Sequence, residues 1–86
     1  MSLESFAHFH VRFVRGEAPS EKDLRRILAD CSCEPSGISY GLVGEGRWFE
    51  YQALIKRLDK EKLNTLAEKL SAIPHAVEFG IAPRGD

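Results

Sequence analysis

The sequence predicts an α+β sandwich whose elements run strand, helix, strand, strand, helix, strand. Three observations carry this reading. Four segments alternate apolar and polar residues with the period of a half-buried strand. Two others repeat apolar residues at helical spacing. A short glycine-containing turn joins the two middle strands directly.

In the first strand, about Ser5 to Arg15, Ala7, Phe9, Val11 and Phe13 alternate with His8, His10 and Arg12 until Gly16 ends the run. Ser20 then reads as a helix N-cap, with Asp23 placed to close a capping-box-like turn. Leu24, Ile27, Leu28 and Cys31 follow as one apolar stripe, and Pro35-Ser36-Gly37 breaks it. Ile38, Tyr40 and Leu42 mark a second strand from about Gly37 to Val43. Gly44-Glu45-Gly46 is the turn. Arg47 to Leu58 forms a third strand, with Phe49, Tyr51, Ala53 and Ile55 on one face and Trp48, Glu50, Gln52, Leu54 and Lys56 on the other. Asp59 caps a second helix, striped by Leu63, Leu66, Ala67 and Leu70 and stopped by Pro74. The last strand, His75 to Ala82, aligns Val77, Phe79 and Ile81 before an open tail from Pro83.

Two right-handed crossovers in this order give a ferredoxin-like βαββαβ sandwich, a four-stranded antiparallel sheet with both helices on one face. The expected core includes Phe9, Val11, Phe13, Leu24, Leu28, Tyr40, Leu42, Tyr51, Ile55, Leu66, Leu70, Val77, Phe79 and Ile81. Residues 4–86 read as one domain, after a Met1-Ser2-Leu3 that reads as an expression-derived start.

Twelve basic and thirteen acidic residues leave a net charge of −1, which disfavours nucleic acid as a partner. No apolar run reaches the ~18–20 residues of a membrane helix, so direct membrane insertion of this segment is not expected. Cys31 and Cys33 are too close for good disulfide geometry, and their spacing is not that of a CxxC site. Cys31 reads as an apolar helix residue and Cys33 as a loop residue.

No catalytic set can be assembled, so the expectation is a non-enzyme without cofactor. An acylphosphatase-like enzyme shares the strand order and Arg15 lies near its loop position, but that chemistry wants an Asn on the hairpin strands, and there is none. His8 and His10 share a strand face ~6.5–7 Å apart, too few for zinc without further ligands, so no metal is assigned. Trp48, Leu54, His8 and His10 are the candidate partner-binding residues of the helix-free sheet face, Trp48 as the aromatic anchor. Arg15, Gly16 and Ser20 bound the loop that binds small amino acids in ACT domains of the same topology. Ala18-Pro19-Ser20 departs from the usual ACT loop.

Leu66-Ala67-Glu68-Lys69-Leu70-Ser71-Ala72-Ile73-Pro74, followed by Val77-Glu78-Phe79-Gly80-Ile81-Ala82-Pro83-Arg84-Gly85-Asp86, resembles the close of the MgtC/SapB family of bacterial inner-membrane proteins. The resemblance implies a cytoplasmic, ACT-like C-terminal domain attached to a multi-helix membrane domain. It implies a regulatory or protein-interaction role in a protein linked to magnesium homeostasis or virulence, on the cytoplasmic side of the inner membrane. Expected partners are a second copy or the parent membrane domain. The alternative is an ACT domain sensing a small ligand, an amino acid or a divalent metal.

Overall fold

A computed structural model describes residues 6–84. Its elements are β1 (Phe6–Val14), α1 (Glu21–Asp30), β2 (Glu34–Val43), β3 (Trp48–Lys56), α2 (Lys60–Ser71) and β4 (Ala76–Arg84). The sheet is antiparallel, in the order β2-β3-β1-β4. This is the expected ferredoxin-like sandwich. Met1–Leu3, expected to be an expression-derived start, and the Gly85-Asp86 end of the tail lie outside the described residues. The tail expected to open at Pro83 instead continues as β4, pairing Arg84 with Phe6.

Both helix starts follow from their caps. The Ser20 hydroxyl accepts the Asp23 N–H at 3.1 Å, and the Asp59 carboxylate accepts the Lys62 N–H at 2.8 Å, so each side chain satisfies an orphan donor of the first turn. The end of α1 is a Schellman turn. Ser32, at φ +59°, donates its N–H to the Ala29 carbonyl, and the Cys33 N–H returns to the Leu28 carbonyl at 2.8 Å. The turn swings Cys33 back beneath the helix. Cys33 keeps its expected place in a loop, between α1 and β2, and is buried there with Leu28 in the core.

Phe9, Val11 and Phe13 of β1 are fully buried, as are Leu24 and Leu28 of α1, Ile55 of β3, and Leu66 and Leu70 of α2. Apolar burial on this scale is the dominant favourable term in folding. The Tyr51 hydroxyl donates to the Pro19 carbonyl at 2.6 Å, tying the start of α1 to the sheet. Three expected core residues are exposed: Tyr40 at 63 %, Leu42 at 49 % and Val77 at 45 %. Tyr40 and Leu42 sit on β2, an edge strand with no further strand beyond it. Val77 is the extra residue of a β-bulge. Arg12 pairs with Glu78 and Phe13 with Ala76, and Ala76 packs against the core in Val77's stead.

The β2–β3 turn spans Gly44 to Arg47, with Gly44, Glu45 and Gly46 all at positive φ. A Cβ at Gly44 would fall 2.6 Å from the Trp48 ring, so that position needs both the glycine conformation and the missing side chain.

Two stability outcomes follow. Leu66→Ala should lower unfolding free energy by about 2–5 kcal/mol. Ser32→Gly should raise it by about 0.5–1 kcal/mol by relieving the left-handed backbone. Urea denaturation of the two variants against the parent chain measures both.

Candidate functional site

Alternation along the central strands places the helix-free face. The pairs Phe9–Ala53, Val11–Tyr51 and Phe13–Phe49 face the helices, so the intervening pairs His8–Leu54, His10–Gln52, Arg12–Glu50 and Val14–Trp48 face away. β4 adds Glu78 beside Arg12 and Gly80 beside His10.

The centre of this face is a polar network. Arg12 Nε donates to Glu50 Oε2 at 2.8 Å, and Arg12 Nη1 to Glu78 Oε1 at 3.0 Å. Gln52 Nε2 donates to Glu50 Oε1 at 2.6 Å, so both oxygens of Glu50 are engaged. Glu50 is only 5 % exposed although no helix covers it. Burial pushes its carboxyl up, but the hydrogen bonds from Gln52 and Arg12 outweigh that and hold it below the ordinary carboxylate value. The bond to Glu50, opposed by desolvation and aided by the nearby Glu78, holds the Arg12 guanidinium more firmly protonated than usual. The His10 ring lies across Gly80, where a Cβ would fall 2.4 Å from it, with its Nε2 buried and 3.8 Å from Glu78 Oε2.

The four expected partner-binding residues share the face but not one patch. His8 and Leu54 line a shallow depression of ≈ 390 Å³ with Ser36, Gly37, Ile38, Ser39 and Gln52, where a bulge sets Ser36 and Gly37 opposite Leu54. His10 lies inward of it beside Glu78. Trp48 is six residues from Leu54 along β3, roughly 20 Å away at 3.3–3.4 Å per residue, and its ring rests on Gly44.

The ligand-loop residues are occupied by the fold. The Arg15 N–H donates to the Arg47 carbonyl at 3.2 Å and its Nη1 reaches the Gly46 carbonyl at 3.4 Å. Gly16 turns the chain at φ +87°, and Ser20 caps α1. Burial raises both cysteine thiols, so Cys31 and Cys33 are poor nucleophiles at neutral pH. Among the described residues, no three His, Cys, Asp or Glu side chains are grouped to hold a metal.

The exposed aromatic end of the sheet escaped the sequence reading. Tyr40 stacks on Phe49 with ring centroids 5.6 Å apart, and Phe49 meets Tyr51 edge-on at 5.1 Å. The available signal was the strand order of this topology, which makes the second strand an edge.

Whole-chain comparison places this geometry among solved structures. The solution structure of the C-terminal domain of the MgtC protein from Mycobacterium tuberculosis superposes with a TM-score of 0.71, over 94 % of this chain and 88 % of that one, at 16 % identity. The chain has the fold of that MgtC domain. An uncharacterized protein from Thermotoga maritima is similar over 94 % of this chain and 98 % of its own, with TM-score 0.66 and 17 % identity. No protein-family model matches the sequence, and no curated protein does. The MgtC-like fold therefore rests on backbone architecture, which tolerates wide change in sequence while burial patterns persist.

Glu50 makes acid stability a test of the network. Its folded pKa lies below the unfolded value, so its stabilisation is present above about pH 4.3, the usual glutamate value, and is lost as pH falls through the folded pKa. Glu50→Gln should flatten that acid limb. Thermal melts between pH 2 and 7 provide the reading.

Proposed function

We propose that this chain is the cytoplasmic regulatory and protein-interaction domain of an MgtC/SapB-like inner-membrane protein, acting by association and not by catalysis. The observation that carries this reading is the end-to-end likeness to the MgtC C-terminal domain. The closing motif Pro83-Arg84-Gly85-Asp86 supports it from the sequence side. A link to magnesium homeostasis comes with the reading, through the parent protein. No helix among the described residues is long and apolar enough to cross a membrane, so membrane attachment would reside in the parent.

The partner in this reading is a second copy. A short domain buries a modest share of its surface, which favours association. The second reading, a small-ligand sensor, draws on the depression where His8, Ser36, Ser39 and Gln52 offer polar groups around Leu54.

Sedimentation and calorimetry separate the two. The interaction domain should show a concentration-dependent dimer and no saturable heat with magnesium, zinc or amino acids. Saturable heat from any of these would favour the sensor. A monomer throughout the micromolar-to-millimolar range would remove self-association as the mode of action.

A further inference from the structure

The helix-free face is hollowed along the seam between β2 and β3. The depression around Leu54 has a volume of ≈ 390 Å³, within the ~300–1,000 Å³ of small-molecule sites. A second depression of ≈ 210 Å³ adjoins it beside Gly41, Val43 and Glu50. The two share Ser39 and Gln52, so they form one groove.

Gly41 is the unexplained residue of this groove. It lies inside a strand, where glycine costs stability, and outside the β2 bulge. Its φ is not positive, and a Cβ there would meet open space. Nothing within the chain therefore requires glycine at this position. A strand glycine of this kind marks close approach by a ligand or another backbone.

The lining sets the chemistry of the ligand. No Lys, Arg, Asp or Glu lines the larger depression, and Glu50 in the smaller one already has both oxygens bonded. A charged ligand would lose water here without gaining a counter-charge. His8 supplies a ring face, and Ile38, Ala53 and Leu54 supply apolar surface. Ser36 and Ser39 carry hydroxyls, and Gln52, anchored through its Nε2 to Glu50, offers its Oε1 as an acceptor. A ring face among uncharged hydrogen-bonding groups suits a planar heterocycle with polar edges, as in the recognition of unpaired bases.

We propose that this groove binds an uncharged nucleoside, a purine most tightly, with the base against His8 and Leu54 and the ribose toward Gly41. The proposal rests on the ligand-sensing reading, whose ligand class it names, and is independent of self-association. An open groove covers less of a ligand than the ~70–90 % of an enclosed site, so the expected Kd is about 0.1–1 mM.

Amide NMR shifts of the chain test the proposal, with adenosine, uridine, adenosine monophosphate, glucose, leucine and magnesium chloride each added separately. Adenosine should give saturable shifts at His8, Ser36 to Ser39 and Gln52 to Leu54. Uridine should bind more weakly, and adenosine monophosphate no more tightly than adenosine. His8→Ala should weaken adenosine about tenfold or more, while His8→Phe, which keeps a ring, should retain it. Ser39→Phe, at an exposed position where the two depressions join, should abolish binding, with circular dichroism to verify folding. Shifts centred elsewhere, or adenosine binding indifferent to His8→Ala and Ser39→Phe, overturn the site. Tighter binding of the monophosphate, or equal binding of glucose, overturns the ligand class and with it the proposal. Saturation of the groove by leucine or magnesium but not by adenosine overturns the nucleoside and leaves ligand sensing standing. Silence with every compound overturns both.

Discussion

The structure depends on the alternation of β1. This strand is hydrogen-bonded on both sides, to β3 and β4, so its residues from Phe6 to Phe13 are each held in register by two neighbours. Phe9, Val11 and Phe13 have no exposure, and every helix packs on the layer that they build. Because strand side chains alternate with period two, a slip of one residue would drive Arg12 and His10 beneath the helices and turn the phenylalanines to water. The cost of burying an unpaired guanidinium makes that state inaccessible.

The same register assembles the opposite face. Arg12 lies between Glu50 on one side and Glu78 on the other, and its guanidinium spans both. Glu50 is buried by its neighbours and not by a helix, yet both its oxygens have donors. A buried carboxylate with satisfied hydrogen bonds is tolerable where an orphaned one is not. The face thus consumes most of its own polarity. Trp48 contributes to this closure by lying on the turn glycine, so the aromatic that stood out in the sequence is engaged locally.

The exposed apolar side chains lie elsewhere. A loop bristling with donors would suit an anionic ligand, but the β1–α1 loop has turned its groups inward, to the hairpin and to the helix cap. The edge strand β2 retains unpaired backbone and exposed apolar side chains together.

The sequence by itself determined the element order, the two capped helices, the hairpin and the inside-outside sense of β1 and β3, because these are local or periodic properties of consecutive residues. The close of the chain also pointed toward the MgtC/SapB architecture that the superposition matches as a fold. Only the tertiary structure decided which apolar residues are covered. Tyr40 and Leu42 follow the same alternation as Phe9 and Val11, and their exposure comes from lying at an edge, where coverage depends on neighbours in space. Val77 was displaced by a bulge that no period reveals, and Cys33 was drawn inward by a left-handed turn at Ser32. Pairing across strands, likewise, converted four scattered polar residues into one network, since Arg12, Glu50, Gln52 and Glu78 become neighbours through register alone.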